Sequence, residues 1–262
     1  MTTYLETAIR AAIKGGEAIM EVYATDFDVE IKGDNSPLTV ADQKANAIIN
    51  TYLRETEVPI ISEENKQTDY SERKHWNTCW IVDPLDGTKE FVKRNGEFTV
   101  NIALVKEGTP ILGVIYVPVS KTLYFTSKEG RAAFKIVLEG ENFEVSKILQ
   151  TAEEIGPVAA SGMVKVVGSR SHLNDDTRAF ISEIEKERAV EIVSKGSSLK
   201  FCLVAEGNAH VYPRFAPTME WDTAAGQAIC QAVGVQVIDQ NTQQPLRYNK
   251  ENLLNPYFLV TL

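Results

Sequence analysis

The sequence predicts an α/β protein, built as a layered sandwich of two related lobes with the site between them. Three observations carry that expectation. Segments 98–105, 111–117 and 122–126 are β-rich and separated by turn signals, which reads as a largely antiparallel meander. Beyond residue 163, strand-like and helix-like stretches alternate, as in an α/β lobe. Between these regions in character, the apolar run Trp80-Ile81-Val82 reads as a buried strand and ends in Asp83-Pro84-Leu85-Asp86-Gly87-Thr88. The chain divides, on this reading, into an N-terminal α+β lobe, residues 1–150, and a C-terminal α/β lobe, residues 151–262.

Length and composition set the bounds. A chain of 262 residues with 44% hydrophobic content suits one large domain or two closely packed lobes around a sizeable core. No apolar run approaches the roughly 18 residues of a membrane span. Glu6, Arg10, Lys14 and Glu17 interrupt the apolar positions near the start, unlike a secretory signal. Cys79, Cys202 and Cys230 are odd in number and form no CxxC pair, so buried, reduced thiols in a cytoplasmic protein are expected. A net charge of −9 opposes attraction to nucleic-acid polymers and to anionic membranes. It leaves open a small anionic substrate, peripheral contact with the inner membrane face, and either a monomer or a homodimer.

Residues 3–23 carry apolar positions at helical spacing, with Gly15-Gly16 as a weak point that allows close packing. The stretch 26–37 is polar and turn-rich. A second helix starts near Thr39, a suitable N-cap, with Asp42 where a capping-box acid sits. Asp42 therefore reads either as a helix-start acid or as a carboxylate held near a metal. Residues 58–62 form a short strand ending at Glu63-Glu64; two adjacent acids suit a solvated strand end, or a site. A charged loop or short helix spans 65–77. Residues 131–137 and 143–145 extend the meander, and 139–162 is polar and irregular. Strands are expected at 164–167, 190–193 and 210–212, and helices at 175–186, 199–206 and 220–233, the last stopping at Gly234.

The central stretch carries the chemistry. Pro84 fixes its own φ and holds Asp83 extended, so the strand is expected to break into a turn there, with Asp83 and Asp86 converging on one side. Gly87 lets backbone approach a ligand closely. Clustered carboxylates without Cys or His favour a hard cation such as Mg2+, and a cation beside free backbone N–H groups is a setting for phosphate chemistry. The same residues also suit a plain surface turn.

Taken with Glu63-Glu64 and the distant Trp221-Asp222-x-Ala-Ala-Gly226, the motif Asp83-Pro84-Leu85-Asp86-Gly87-Thr88 resembles the inositol monophosphatase superfamily of metal-dependent, lithium-sensitive phosphatases. Gly168-Ser169-Arg170-Ser171-His172, the stretch Gly196-Ser197-Ser198-Leu199-Lys200-Phe201-Cys202, and Tyr212-Pro213-Arg214-Phe215 are similar to its bacterial 3′(2′),5′-bisphosphate nucleotidase branch. The resemblance spans essentially the whole chain and implies an α-β-α-β-α sandwich. It implies hydrolysis of the 3′-phosphate of 3′-phosphoadenosine 5′-phosphate, a by-product of sulfate activation, to AMP and phosphate. It also implies Mg2+, about two or three ions per site, held by Glu63, Asp83, the Leu85 carbonyl, Asp86 and Asp222. Asp42 and Thr88 would activate water. Gly87, His172, Ser197, Lys200 and Arg214 would bind substrate, together with Glu63, Leu85, Asp86, Thr88 and Asp222.

Each substrate-side residue also has a plain reading: Lys200 and Arg214 as surface cations, His172 as a loop histidine, Ser197 as a helix cap. Two other functions compete. One is a phosphatase of the same fold acting on inositol monophosphate or a sugar phosphate, since the metal motif is shared. The other is an inactive cation- or nucleotide-binding protein, which would be expected to lack a metal ligand or the Asp42/Thr88 pair. An EF-hand is excluded by the spacing of the oxygen-bearing residues.

Overall fold

The structure, a computed structural model, describes residues 3–25, 29–31, 37–140, 143–168 and 174–262, with backbone alone at 29–31 and 37–39. His172 and most of the expected motif around it lie outside the described residues. In chain order the first half runs α1 Tyr4–Tyr23, β1 Val29–Ile31, β2 Pro37–Thr39, α2 Val40–Arg54, β3 Ile60–Ser62, α3 Tyr70–Arg73, β4 Thr78–Asp86, α4 Thr88–Val92, β5 Thr99–Lys106, β6 Thr109–Val117, β7 Thr122–Thr126 and β8 Ala133–Val137. The second runs α5 Val145–Thr151, β9 Glu153–Ile155, β10 Val164–Gly168, α6 Asp175–Glu185, β11 Val190–Ser194, α7 Leu199–Ala205, β12 Val211–Arg214, α8 Glu220–Ala232, β13 Gln236–Asp239 and β14 Phe258–Thr261.

Five layers result. The seven-stranded sheet β3-β4-β5-β6-β7-β8-β9 is antiparallel except for the β3–β4 pair. Its strands are apolar at nearly every position because both faces are covered. Trp80, Val82, Val100 and Ile102 point to α1 and α2, whereas Ile81, Ala103 and Val105 point to α7 and α8. The second sheet, β11-β10-β12-β14-β13, covers the far side of α7 and α8. Its outer face packs on α6 through Val164, Val166 and Ile181. The expected α-β-α-β-α sandwich is what the chain forms.

Close packing explains several small residues. A Cβ on Gly16 would lie 2.5 Å from the Tyr116 ring, and one on Gly15 would lie 2.8 Å from Ile49. Helix α8 is buried almost all round between the two sheets. It comes so close to β6 that a Cβ on Gly113 would meet the Ala225 carbonyl at 2.4 Å.

Local expectations failed in four places. The turn-rich 26–37 stretch contains β1, which pairs antiparallel with β2. Val145, expected in a strand, starts α5, and the supposedly irregular 139–162 also holds β9, paired with β8. Both are short, and their stability comes from packing rather than local pattern. The reading stopped at Gly234 and missed β13 and β14, which pair antiparallel with each other. β14 also lies antiparallel to β12, while β10 runs parallel to β11 and β12, so this sheet is mixed. Finally, β4 does not break at Pro84 but continues to Asp86.

Candidate active site

That last difference shapes the site. In a regular strand, residues three apart point to opposite faces, so Asp83 and Asp86 would diverge. Here Asp83 pairs with Asn101 and Asp86 with Thr99, three steps on β4 against two on β5. The extra residue is a β-bulge, which brings both carboxylates to one side. Pro84 falls inside the bulge, where a missing N–H costs no ladder bond. Leu85 N–H closes the bulge by donating to Asp83 Oδ1 at 3.1 Å. Gly87 follows with φ 94°, a left-handed conformation that glycine adopts without steric cost, and α4 begins at Thr88.

Asp86 is held by the segment that follows β11 and by Asn101 of β5. Its Oδ2 accepts from Ser197 Oγ at 2.5 Å, from Ser198 N–H at 2.6 Å and from Asn101 Nδ2 at 3.3 Å. Ser198 Oγ donates to Asn101 Oδ1 at 2.7 Å, and Thr99 Oγ1 lies 2.6 Å from Ser197 Oγ. Ser197 sits at φ 55°, a conformation that costs a non-glycine residue. The surrounding hydrogen bonds keep it there.

Asp83, Asp86 and Asp222 each place an oxygen within 4.8 Å of the others. Asp222 comes from the first turn of α8, where its Oδ2 accepts from Met219 N–H at 2.8 Å. Burial, then the charges of Glu63, Asp86, Asp222 and Asp42, push the Asp83 carboxyl well above its ordinary pKa. Burial and Asp86 raise Asp222 to about 7, with Glu63 adding to the rise while Met219 N–H and Arg214 oppose it. So many carboxylates in one buried place call for a positive charge. The donors are all oxygen, without His or Cys, and they fit a hard divalent cation. Asp42 is fully buried and turned inward, 3.5 Å from Thr88 Oγ1, which also lies 3.5 Å from the Leu85 carbonyl. The Asp42 carboxyl thus faces the cluster, although it stands at a helix start.

Beside the carboxylates lies a cleft of about 590 Å³ lined by Asp86, Gly87, Ser197, Lys200, Arg214 and Asp222, with Tyr212 at its wall. Lys200 Nζ donates to Ser197 O at 2.7 Å. Burial lowers its pKa, Asp86 acts against this, and neighbouring Arg214 adds to the lowering. Arg214 donates from Nη2 to Pro217 O at 3.2 Å, while its buried Nε has no hydrogen-bond partner among the described residues. Two cations crowded together on the wall of an acidic protein's cleft make a place for an anion.

The structure therefore brings together Asp42, Glu63, Asp83, Leu85, Asp86, Gly87, Thr88 and Asp222, and sets Ser197, Lys200 and Arg214 alongside. It turns the Ser197 hydroxyl to Asp86. Sequence reasoning missed Thr99, Asn101 and Ser198. Thr99 and Asn101 are polar at alternate positions of an otherwise apolar strand, a signal that could have marked them. Ser198 had no such signal.

Fold and site together define a cleft between two sheets in which clustered carboxylates, a set that fits a hard cation, stand beside two cationic side chains. The chain belongs to the inositol monophosphatase family, whose model matches residues 1–257. It is 45% identical to the 3′(2′),5′-bisphosphate nucleotidase CysQ of Escherichia coli (strain K12), over 98% of this chain and 99% of that protein. The CysQ of Salmonella typhimurium is 44% identical over the same shares. Among solved structures, CysQ from Bacteroides thetaiotaomicron, described as a bacterial member of the inositol monophosphatase family, matches with a TM-score of 0.89 at 51% identity. That match covers 100% of this chain and 97% of the other. Among the described residues, no helix is long and apolar enough to cross a membrane.

Proposed function

We propose that this chain is a Mg2+-dependent phosphatase that hydrolyses the 3′-phosphate of 3′-phosphoadenosine 5′-phosphate, releasing AMP and phosphate. The observation that carries the reading is the pairing of a carboxylate cluster with a separate cationic wall in one cleft. A substrate with two phosphates needs both. The names of the relatives at 44–45% identity support the same substrate.

Glu63, Asp83, Asp86, Asp222 and the Leu85 carbonyl would hold Mg2+. Mg2+ bound there supplies charge for the phosphoryl oxygens and lowers the pKa of water. Thr88 Oγ1 donates to Asp42 Oδ2, which leaves its lone pairs to accept a hydrogen bond from the attacking water. The proton passes from water to Thr88 Oγ1 as the Thr88 proton shifts toward Asp42. Water oxygen bonds to phosphorus, the bond to the 3′-oxygen breaks, and that oxygen takes a proton from a solvent water in the cleft, while Asp42 gives the proton it received back to solvent. N–H groups at Gly87 and Thr88 bind the phosphoryl oxygens. Lys200 and Arg214 hold the 5′-phosphate that stays, in the cleft that Ser197 also lines while its hydroxyl hydrogen goes to Asp86. His172, which lies outside the described residues, is assigned to nucleotide binding from its sequence motif. Of the two lobes, residues 1–150 carry most of the metal ligands, and residues 151–262 carry the nucleotide-binding residues and the last metal ligand, Asp222.

The test is phosphate release from adenosine 3′,5′-bisphosphate, adenosine 3′-monophosphate, inositol monophosphate and fructose bisphosphate, with Mg2+ and with EDTA. The bisphosphate nucleotide should be strongly preferred, EDTA should abolish release, and Li+ should inhibit. Full activity in EDTA overturns the metal role. Better use of inositol monophosphate overturns the substrate and leaves a phosphatase of the same family.

A further inference from the structure

Behind the carboxylates, α2 carries two amides on the face that bears Asp42. Asn46 and Asn50 follow Asp42 at successive steps of four residues, so the three stand in one row. Asp42 reaches toward Thr88. The amides reach toward the segment that holds Glu63. Ser62 Oγ donates to Asn46 Oδ1 at 2.9 Å, and Asn46 Nδ2 donates to Asn65 Oδ1 at 2.9 Å. Asn65 Nδ2 donates to Asn50 Oδ1 at 3.1 Å, and Asn50 Nδ2 donates to Asn46 Oδ1 at 2.7 Å. Ser62 and Asn65 flank Glu63-Glu64, so the helix grips that segment on both sides. Asn65 N–H also donates to Ser62 O at 3.2 Å, closing the turn between them. Ser62 and Asn50 are buried, at 0% and 4% exposure.

A satisfied network of this kind selects one geometry, because losing a partner strands a buried polar group. Amides and a hydroxyl do this without adding charge to a crowded cluster of acids. From these contacts we infer that Asn46, Asn50 and Asn65 are positioning residues that set Glu63 against Asp42, and so fix the cation site relative to the water-activating pair. The inference rests on the reading of Glu63 as a cation ligand. Its parts are joined through α2: one helix carries Asp42 at its start and holds the Glu63 segment one and two turns later.

The experiment is calorimetric titration of the full chain with Mg2+ alone, for the native protein, Asn50→Ala, Asn65→Ala and Thr51→Ala. Thr51 is an exposed position on the same helix and serves as control. Asn50→Ala and Asn65→Ala should weaken Mg2+ binding by about ten- to a hundredfold, and saturating Mg2+ should restore most of kcat. Thr51→Ala should bind as native. If Asn50→Ala does not fold, Asn65→Ala decides, since it lies outside the helix. Variants that melt earlier but bind Mg2+ like the native protein overturn this inference alone. A native protein that binds no Mg2+ overturns the functional reading and this inference with it.

Discussion

Ser197 gives its hydroxyl hydrogen to the carboxylate of Asp86, 2.5 Å away, across the gap between the two sheets. Asp86 ends β4 of the seven-stranded sheet, and Ser197 follows β11 of the five-stranded one. A residue on the wall of the cleft therefore also orients a carboxylate of the acidic cluster. Ser197→Ala and Ser197→Gly both remove this hydroxyl. Each should raise the Mg2+ concentration for half-maximal phosphate release by about tenfold or more. Glycine relieves the backbone at φ 55°, so Ser197→Gly should be the more stable of the two by about 1 kcal/mol. Unchanged Mg2+ demand in both would show the contact to be idle.

The metal-free protein should lose stability as pH rises. Asp222 is raised from 3.8 to about 7, and Asp83 is also raised. A carboxyl with a folded pKa above its unfolded value stabilises the fold fully below the unfolded value, and that stabilisation is lost as pH climbs through the folded value. In EDTA the melting temperature should therefore fall between about pH 4 and pH 7 through these groups. Mg2+ competes with those protons, so its stabilising effect should be larger at pH 8 than at pH 6. Equal shifts at both pH values would refute the proposed role of the cluster.

Thr88→Ala should lower kcat by roughly 10²- to 10⁴-fold with little change in substrate affinity, the range expected of general acid–base help. Asp42→Asn should follow it. If Asp42 acts only at the helix start, Asp42→Asn will shift the unfolding midpoint modestly and leave turnover nearly intact. Steady-state kinetics and thermal melts on the same sample separate these outcomes.

Lys200→Ala and Arg214→Ala should each lower kcat/KM for the adenosine bisphosphate by roughly ten- to a hundredfold, about 1.5–3 kcal/mol for a charge-assisted contact. Adenosine 3′-monophosphate has no second phosphate, and its slow hydrolysis should barely change. Equal losses on both substrates would remove these residues from the 5′-phosphate without touching the metal assignment.

Gly113→Ala should destabilise the protein by about 1–3 kcal/mol, read from urea unfolding. The added carbon would meet a backbone carbonyl of α8, which cannot swing aside as a side chain can. Because Asp222 starts that helix, the same variant should also need more Mg2+. Native stability in Gly113→Ala would mean that β6 and α8 separate more easily than their packing suggests.

The chain's own pattern was enough for the α/β class and a layered two-lobe sandwich, while the five-layer order was implied by the family resemblance. Apolar runs long enough only for strands, helical stripes and turn residues placed most elements; the acids at 63, 83 and 86 were visible as candidates in the sequence itself, and Asp222 through the family resemblance. Periodicity and capping are local properties, so a sequence displays them directly. What tertiary structure alone decided was how those acids meet. Asp83 and Asp86 share a face because β4 bulges against β5, a matter of register between strands. Asp86 takes its orientation from Ser197 and Ser198, more than a hundred residues away. Helix α8, with Asp222 at its start, sits close because Gly113 leaves room for it. β13 and β14 escaped notice because short strands are stabilised by their partners and by burial, not by their own residues. Direction, register and the distance between segments belong to packing, which no single stretch of sequence contains.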